Sequence, residues 1–186
     1  MAPFNDSPLK NNLILAMNNP TNILYTDDIV TIIADLFPKS IHHYLVLPKD
    51  NIQDVRSLKQ HHIPTLIYME LKGLEFVMRV TGMTPHKFQV GYHAYPSMNR
   101  LHLHVLSKDF QGPHMKAPYQ WNSFHTEFFI PTYKIISELQ LTGRLTLPPK
   151  KCLHQNLRCN MCNYSCSDLQ NLRLHSVIYH NKQTRC

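Results

Sequence analysis

The chain has 186 residues, 43% of them hydrophobic, which is enough for one medium domain with a real core plus a small appendage. Its formal net charge is +7 and its pI is near 9.2, a balance that serves solubility or draws a polyanionic partner, without separating nucleic acid from an anionic membrane. No apolar run approaches the roughly 20 residues needed to span a bilayer. Met1-Ala2-Pro3-Phe4-Asn5-Asp6 has no basic region leading into an apolar run, so no signal peptide is expected. All five cysteines follow Lys151, where a secreted disulfide framework would spread them. Clustered cysteines with nearby histidines point to metal in a reducing compartment, and so to a soluble intracellular protein.

In chain order, Leu9 to Met17 reads as a short helix stopped by Asn18-Asn19-Pro20. Ile23-Leu24-Tyr25, Ile29 to Ala34 and His43 to Leu47 read as strands, with Asp27-Asp28 and Phe37-Pro38-Lys39 between them. From Ile52 to Thr81 the apolar spacing turns helical and predicts a long amphipathic helix. Phe88 to Tyr92 and Leu101 to Ser107 read as two more strands. A loop-rich stretch runs from Ser107 to Phe124, a helix is expected from Pro131 to Leu141, and Leu147-Pro148-Pro149-Lys150-Lys151 reads as a stiff basic hinge. Helix, three strands, helix, two strands predicts an α+β fold with a mainly antiparallel sheet.

Two constellations carry chemistry. From Leu101 to Val105 the residues alternate strictly, with aliphatics on one side and His102 and His104 on the other. A strand of this kind buries the aliphatics and presents two neighbouring imidazoles from its other face. Imidazole is a nucleophile, acid, base, metal ligand or phosphate partner near neutral pH, so the chain looks built around a histidine site. The second constellation is Cys159-x2-Cys162-x12-His175-x4-His180. Two thiolates on a tight turn and two imidazoles about a turn apart on a helix, Asp168 to Tyr179, can close a tetrahedron around one structural zinc ion. Leu172 takes the leucine position of such a finger, while Cys166 stands where an aromatic is usual and reads as a small buried apolar residue, with ligand exchange with Cys159 or Cys162 as the rival role. Cys152 and Cys186 read as free thiols. Arg158, Arg173, Lys182 and Arg185 can reach phosphates, although a lone finger covers little base sequence, so backbone grip or docking onto the first domain is expected.

Together these residues resemble a known family. His102-Leu103-His104-Val105-Leu106 is similar to the end of a histidine triad motif, His-φ-His-φ-His-φ-φ. Gly91-Tyr92-His93-Ala94-Tyr95-Pro96-Ser97-Met98, Ser107-Lys108-Asp109-Phe110, Trp121-Asn122-Ser123-Phe124 and the terminal finger resemble one branch of it, the aprataxins. The resemblance runs from about Leu24 to His180. The short chain suggests a fungal member without an N-terminal phosphopeptide-binding domain. One departure stands out: the first triad position holds Arg100.

The resemblance implies a histidine triad fold over residues 1–148 and a ββα zinc finger over 149–186. It implies a DNA repair hydrolase, nuclear with the cytoplasm as a second location, that removes AMP from 5′-adenylated DNA ends or nicks, with AMP as product, no catalytic metal, no membrane, and DNA ligase and other repair proteins as candidate partners. His102 would be the nucleophile, His104 would bind the non-bridging oxygens, His93 would serve the leaving phosphate, and His43 would complete the cluster. Asp35 would take the ribose hydroxyls, and Ser97, Lys39 and Arg100 would join it in substrate binding, with Arg100 either orienting the nucleophile or touching phosphate. Ile14, Ile33 and Leu36 could line an adenine slot, and Phe4 or the Leu9 to Met17 segment could wedge against a terminal base pair. His42, His61, His62, His86, His114, His125 and His154 read as exposed or loop residues. Two other readings stay open, a triad hydrolase of free nucleotides and a non-catalytic nucleic-acid-binding protein.

Overall fold

The structure, a computed structural model, describes residues 12–180. Phe4, Lys182, Arg185 and Cys186 therefore lie outside the described residues.

The alternating segments form one antiparallel sheet. Its strands are β1 (Ile23–Thr26), β2 (Val30–Ala34), β3 (His43–Pro48), β4 (Phe88–His93), β5 (Leu103–Ser107) and β6 (Phe129–Ile130), in the order β1-β2-β3-β5-β4-β6. β5 lies at the centre, pairing Leu45 with His104 on one side and Gly91 with His104 on the other. The period of two then sorts the side chains. Val30, Ile32, Val46, Leu103 and Val105 are fully buried on one face, where they join the main core with Leu66, Met69 and Val77 of α2 (Ile63–Thr81). Gly73 permits this closeness, because a Cβ there would lie 2.8 Å from Val105 Cγ2 and 3.0 Å from Val46 Cγ2. α4 (Thr132–Thr142) adds Ile135 and Leu139 to the same core.

The other face is divided along its width. At the β1 edge, Leu13 and Met17 of α1 (Asn12–Asn18) cover Ile33, Leu45 and Leu47. In the middle stand the histidines. Beyond them, α3 (Pro118–His125) and the C-terminal ββα unit, β7 (Leu157–Arg158), β8 (Ser165–Cys166) and α5 (Leu169–Tyr179), share one buried cluster. Leu106, Phe110, Trp121, Phe124, Leu157 and Leu172 all belong to it. Asp168 caps α5 by accepting from the Gln170 and Asn171 amides.

Several expectations are corrected. The helix read from Ile52 starts at Ile63, with Pro64 in its first turn, and the preceding residues form two 3-10 turns, Val55–Ser57 and Gln60–His62. Ile52, Val55 and Leu58 are nonetheless buried, so their spacing reported burial rather than helix. The loop read to Phe124 contains α3, opened by Pro118. The stretch read as a hinge runs into a 3-10 turn, Lys150–His154, that buries Cys152 in the main core beside Leu147 and Leu153. His125 is no loop residue: it closes α3 half-buried, its ring stacks on Trp121 at 3.9 Å and meets Phe110 at 4.2 Å, and burial lowers its pKa to about 4.

Candidate active site

Strand geometry brings four imidazoles together. His102 and His104 leave the central strand region on the same face, His43 opens β3 beside them and His93 closes β4. Ring centroids lie 5.0 Å apart for His102 and His104, 4.4 Å for His93 and His104, and 5.3 Å for His43 and His104. Phe124 of α3 packs against three of them, at 4.6 Å from His93, 5.5 Å from His104 and 5.8 Å from His43. Sequence reading matched the Trp121–Phe124 stretch to a family without seeing that Phe124 walls the histidines. Pro118 at a helix start was the signal for the helix that carries it.

The hydrogen bonds assign the protons. The Lys39 amide donates to His43 Nδ1 at 3.1 Å, so in the neutral ring His43 carries its proton on Nε2. That Nε2–H reaches His104 Nδ1 at 3.0 Å, with Asp35 Oδ2 at 3.4 Å as a second acceptor. His104 then holds its own proton on Nε2, which is buried and has no partner among the described residues. His102 Nδ1 lies 2.8 Å from the Arg100 carbonyl, which can only accept, so His102 keeps a lone pair on Nε2. A nucleophilic nitrogen and a hydrogen-bond donor therefore stand side by side.

Burial sets the charge state. Desolvation lowers the pKa of His43 to about 4 and that of His93 to about 3, opposed at His43 by Asp35 and reinforced at His93 by the neighbouring histidines. It also pushes His104 well down and lowers His102, where the Arg100 carbonyl opposes the shift. The rings are neutral at pH 7, the form in which imidazole attacks phosphorus.

The cluster floors a cleft of about 300 Å³ that Asp35, Lys39, Ser97 and Tyr95 also line. Asp35 accepts from the Phe37 amide with Oδ1, and Lys39 Nζ donates to the Phe37 carbonyl. Arg100 is not brought to this cleft. Its guanidinium bonds the Pro48 and Lys49 carbonyls and Asn51 Oδ1, beside a separate groove that Ile14 also lines. Of the other residues suggested for an adenine slot, Ile33 is buried under α1 and Leu36 is 78% exposed.

A second cluster gathers Cys159, Cys162, His175 and His180, whose ligand atoms all lie within 4.8 Å of one another. Cys159 Sγ is 3.4 Å from His180 Nε2, Cys162 Sγ is 3.2 Å from His175 Nε2, and the two Nε2 atoms are 3.1 Å apart. A zinc tetrahedron with two sulfur and two nitrogen ligands has edges of about 3.3–3.8 Å, so the donor set and spacing fit that ion. The unit is tied to α3 through Trp121 Nε1, which donates to the Arg158 carbonyl at 2.9 Å, while Asn122 Nδ2 holds the segment that leads into it by donating to the Leu153 and Gln155 carbonyls.

Comparison with known proteins agrees with this architecture. The family described as "Scavenger mRNA decapping enzyme C-term binding" matches residues 9–120. An aprataxin-like protein of Drosophila melanogaster is 39% identical over 169 residues, covering 89% of this chain and 25% of its own. Aprataxin of Gallus gallus is 35% identical over 162 residues, covering 86% of this chain and 51% of its own. The chain thus spans between a quarter and a half of these relatives. The crystal structure of aprataxin ortholog Hnt3 in complex with DNA superposes with a TM-score of 0.72 at 26% identity, covering 94% of this chain and 96% of that one.

Proposed function

The chain belongs to the histidine triad family, with aprataxins among its relatives, and from that premise we propose that it is a nuclear DNA repair hydrolase that removes AMP from 5′-adenylated DNA ends. The observation that carries this reading is the pair of nitrogens on the central strand region, a lone pair on His102 Nε2 and an N–H on His104 Nε2 without a partner among the described residues. Support for a DNA substrate comes from the net charge of +7 and from the DNA complex of the Hnt3 relative.

The substrate joins AMP to the DNA 5′-phosphate through a pyrophosphate. His102 Nε2 attacks the AMP phosphorus, a P–N bond forms, and the bond to the bridging oxygen breaks. The DNA leaves with its 5′-phosphate and the electron pair. Positive charge growing on the His102 ring is met at Nδ1–H by the Arg100 carbonyl. His104 Nε2–H donates to a non-bridging oxygen whose charge rises as the bonds change, and burial strengthens that contact. Water then attacks the same phosphorus, the P–N bond breaks, AMP departs, and one proton goes to solvent. His93 faces the leaving phosphate, Asp35 accepts from the ribose hydroxyls, and Lys39 and Ser97 hold phosphate at the cleft.

Cys159, Cys162, His175 and His180 would hold zinc, whose contribution would be structural: with the four ligands gathered, the ββα unit would keep the Arg158 carbonyl on Trp121 and so steady the Phe124 wall.

The test is a nicked duplex bearing a 5′-adenylate labelled in the AMP phosphate, with wild type and His102→Ala. Free AMP from wild type alone, with label trapped on the protein during turnover, is the expected result. Turnover of a free adenosine phosphoramidate with no release from DNA would instead make the chain a small-nucleotide hydrolase.

A further inference from the structure

Arg100 stands where a triad would carry its first histidine, and its surroundings are unusual in three ways. Its backbone has φ +87°, in the region that disfavours side chains beyond glycine. Its carbonyl receives the His102 Nδ1 proton at 2.8 Å. All three nitrogens of its guanidinium are engaged by the end of β3 and the loop after it: Nε with the Pro48 carbonyl at 3.2 Å, one terminal nitrogen with Asn51 Oδ1 at 2.9 Å, and the other with the Lys49 carbonyl at 2.6 Å. The same loop grips the next residue, because the Leu101 amide donates to the Ile52 carbonyl at 2.8 Å. It is itself anchored to the sheet through the Lys49 amide, which donates to the Ile29 carbonyl at 2.8 Å.

We propose that Arg100 is a positioning residue for the nucleophile: its guanidinium, clamped to the Pro48–Asn51 loop, holds a strained backbone that aims the Arg100 carbonyl at His102 Nδ1. The proposal rests on His102 being the nucleophile. An unstrained Arg100 would swing that carbonyl away, and the His102 ring would then be free to turn or to move its proton to Nε2. Either change removes the lone pair from the cleft. A planar guanidinium suits the task because it spreads its donors over three nitrogens in fixed directions, whereas the three donors of an ammonium radiate from one freely rotating atom. The fork is spent on protein acceptors, so direct phosphate contact is not its role.

The experiment compares wild type with Arg100→Ala, Arg100→Lys and Asn51→Ala. Long-range proton–nitrogen NMR of the His102 ring reports the tautomer without any substrate. The wild-type ring should carry its proton on Nδ1, and Arg100→Ala should give a mixture of tautomers. On adenylated nicked DNA, kcat of Arg100→Ala should fall about 10–100-fold, the scale of a small misplacement of a reacting group. KM should stay within about twofold, since uniform binding is untouched. Arg100→Lys should recover part of kcat, and Asn51→Ala, which removes one clamp at an exposed side chain, should shift ring and kcat in the same direction by less. A wild-type ring spectrum and kcat in Arg100→Ala would overturn the proposal, and so would a raised KM at unchanged kcat, the mark of a phosphate ligand. If Arg100→Ala fails to fold, unchanged ring and kcat in Asn51→Ala would overturn it as well. Should wild type release no AMP from DNA, the functional reading fails while the ring spectra still decide the clamp.

Discussion

His43 Nε2 lies 3.0 Å from His104 Nδ1, and this contact passes a proton arrangement from the backbone to His104 Nε2 at the floor of the cleft. The Lys39 amide fixes the tautomer of His43, His43 fixes that of His104, and His104 is left with Nε2–H as an outward donor. No step in the relay needs a charged ring. His43→Ala should cut the relay and free His104 to take either tautomer. Expected is a fall of about 10–100-fold in kcat for AMP release, with DNA affinity measured by fluorescence anisotropy unchanged. Loss of affinity with kcat intact would place His43 in binding instead.

The buried rings make stability depend on pH. His43 and His93 have folded pKa values of about 4 and about 3, below the unfolded value near 6.5. Between those limits the unfolded chain binds more protons than the folded one, so stability rises with pH. The contribution is fully present above about pH 6.5 and is lost as pH falls to about 4 for His43 and about 3 for His93. Each group costs up to about 1.4 kcal/mol per pH unit across its window. Asp27, held down to about 2 by hydrogen bonds from the Val30 and Ile29 amides against the cost of burial, acts only below the ordinary carboxylate range and does not overlap most of this window. Urea unfolding at pH 7, 6 and 5 with zinc in excess should show a falling midpoint, and His43→Gln should flatten the slope by about one proton.

Gly112 controls the same relay from a distance. A Cβ there would collide with backbone atoms of Pro38, Lys39 and Ser40. Its amide also donates to the Lys39 carbonyl at 3.0 Å. Gly112→Ala must displace the segment that supplies the Lys39 amide to His43, at a cost of about 1–3 kcal/mol. The outcome expected is a lower melting temperature together with a lower kcat. Gly82→Ala is the control: Gly82 ends α2 at φ +69° with open space around it, so alanine there strains the helix end by about 1 kcal/mol and should leave kcat alone.

Sequence reading succeeded where one local rule dominated. Period-two alternation located His102 and His104 on one face of the sheet, and ligand spacing located the Cys159–His180 cluster. It failed where distant segments decide. Arg100 lies about 50 residues from the loop that takes its side chain, so nothing local shows that the guanidinium turns from the histidines. His125 sits in a segment of ordinary loop composition, and only the fold of α3 against Phe110 buries it. Ile52, Val55 and Leu58 mimic helix spacing because they fall three residues apart around the Val55–Ser57 3-10 turn, and the helix proper starts only at Ile63 with Pro64 in its first turn.

The metal cluster should matter for activity without touching substrate. Trp121 and Asn122 of α3 donate to carbonyls at Arg158, Leu153 and Gln155, and Phe124, on the same short helix, walls His93 and His104. Cys162→Ser removes one ligand at an exposed position, which spares the buried cluster any new cavity. A small metal-dependent unit loses most of its folding free energy with its ion. The buried Trp121 Nε1 would then lose its Arg158 acceptor, at about 1–3 kcal/mol. Plasma mass spectrometry should find one zinc per chain in wild type and none in Cys162→Ser. The variant should melt earlier and release AMP more slowly, and chelation of wild type should reproduce both effects. Full kcat at unchanged KM in a zinc-free chain would show that the histidine cleft keeps its shape unaided and that the unit is only a neighbour to it.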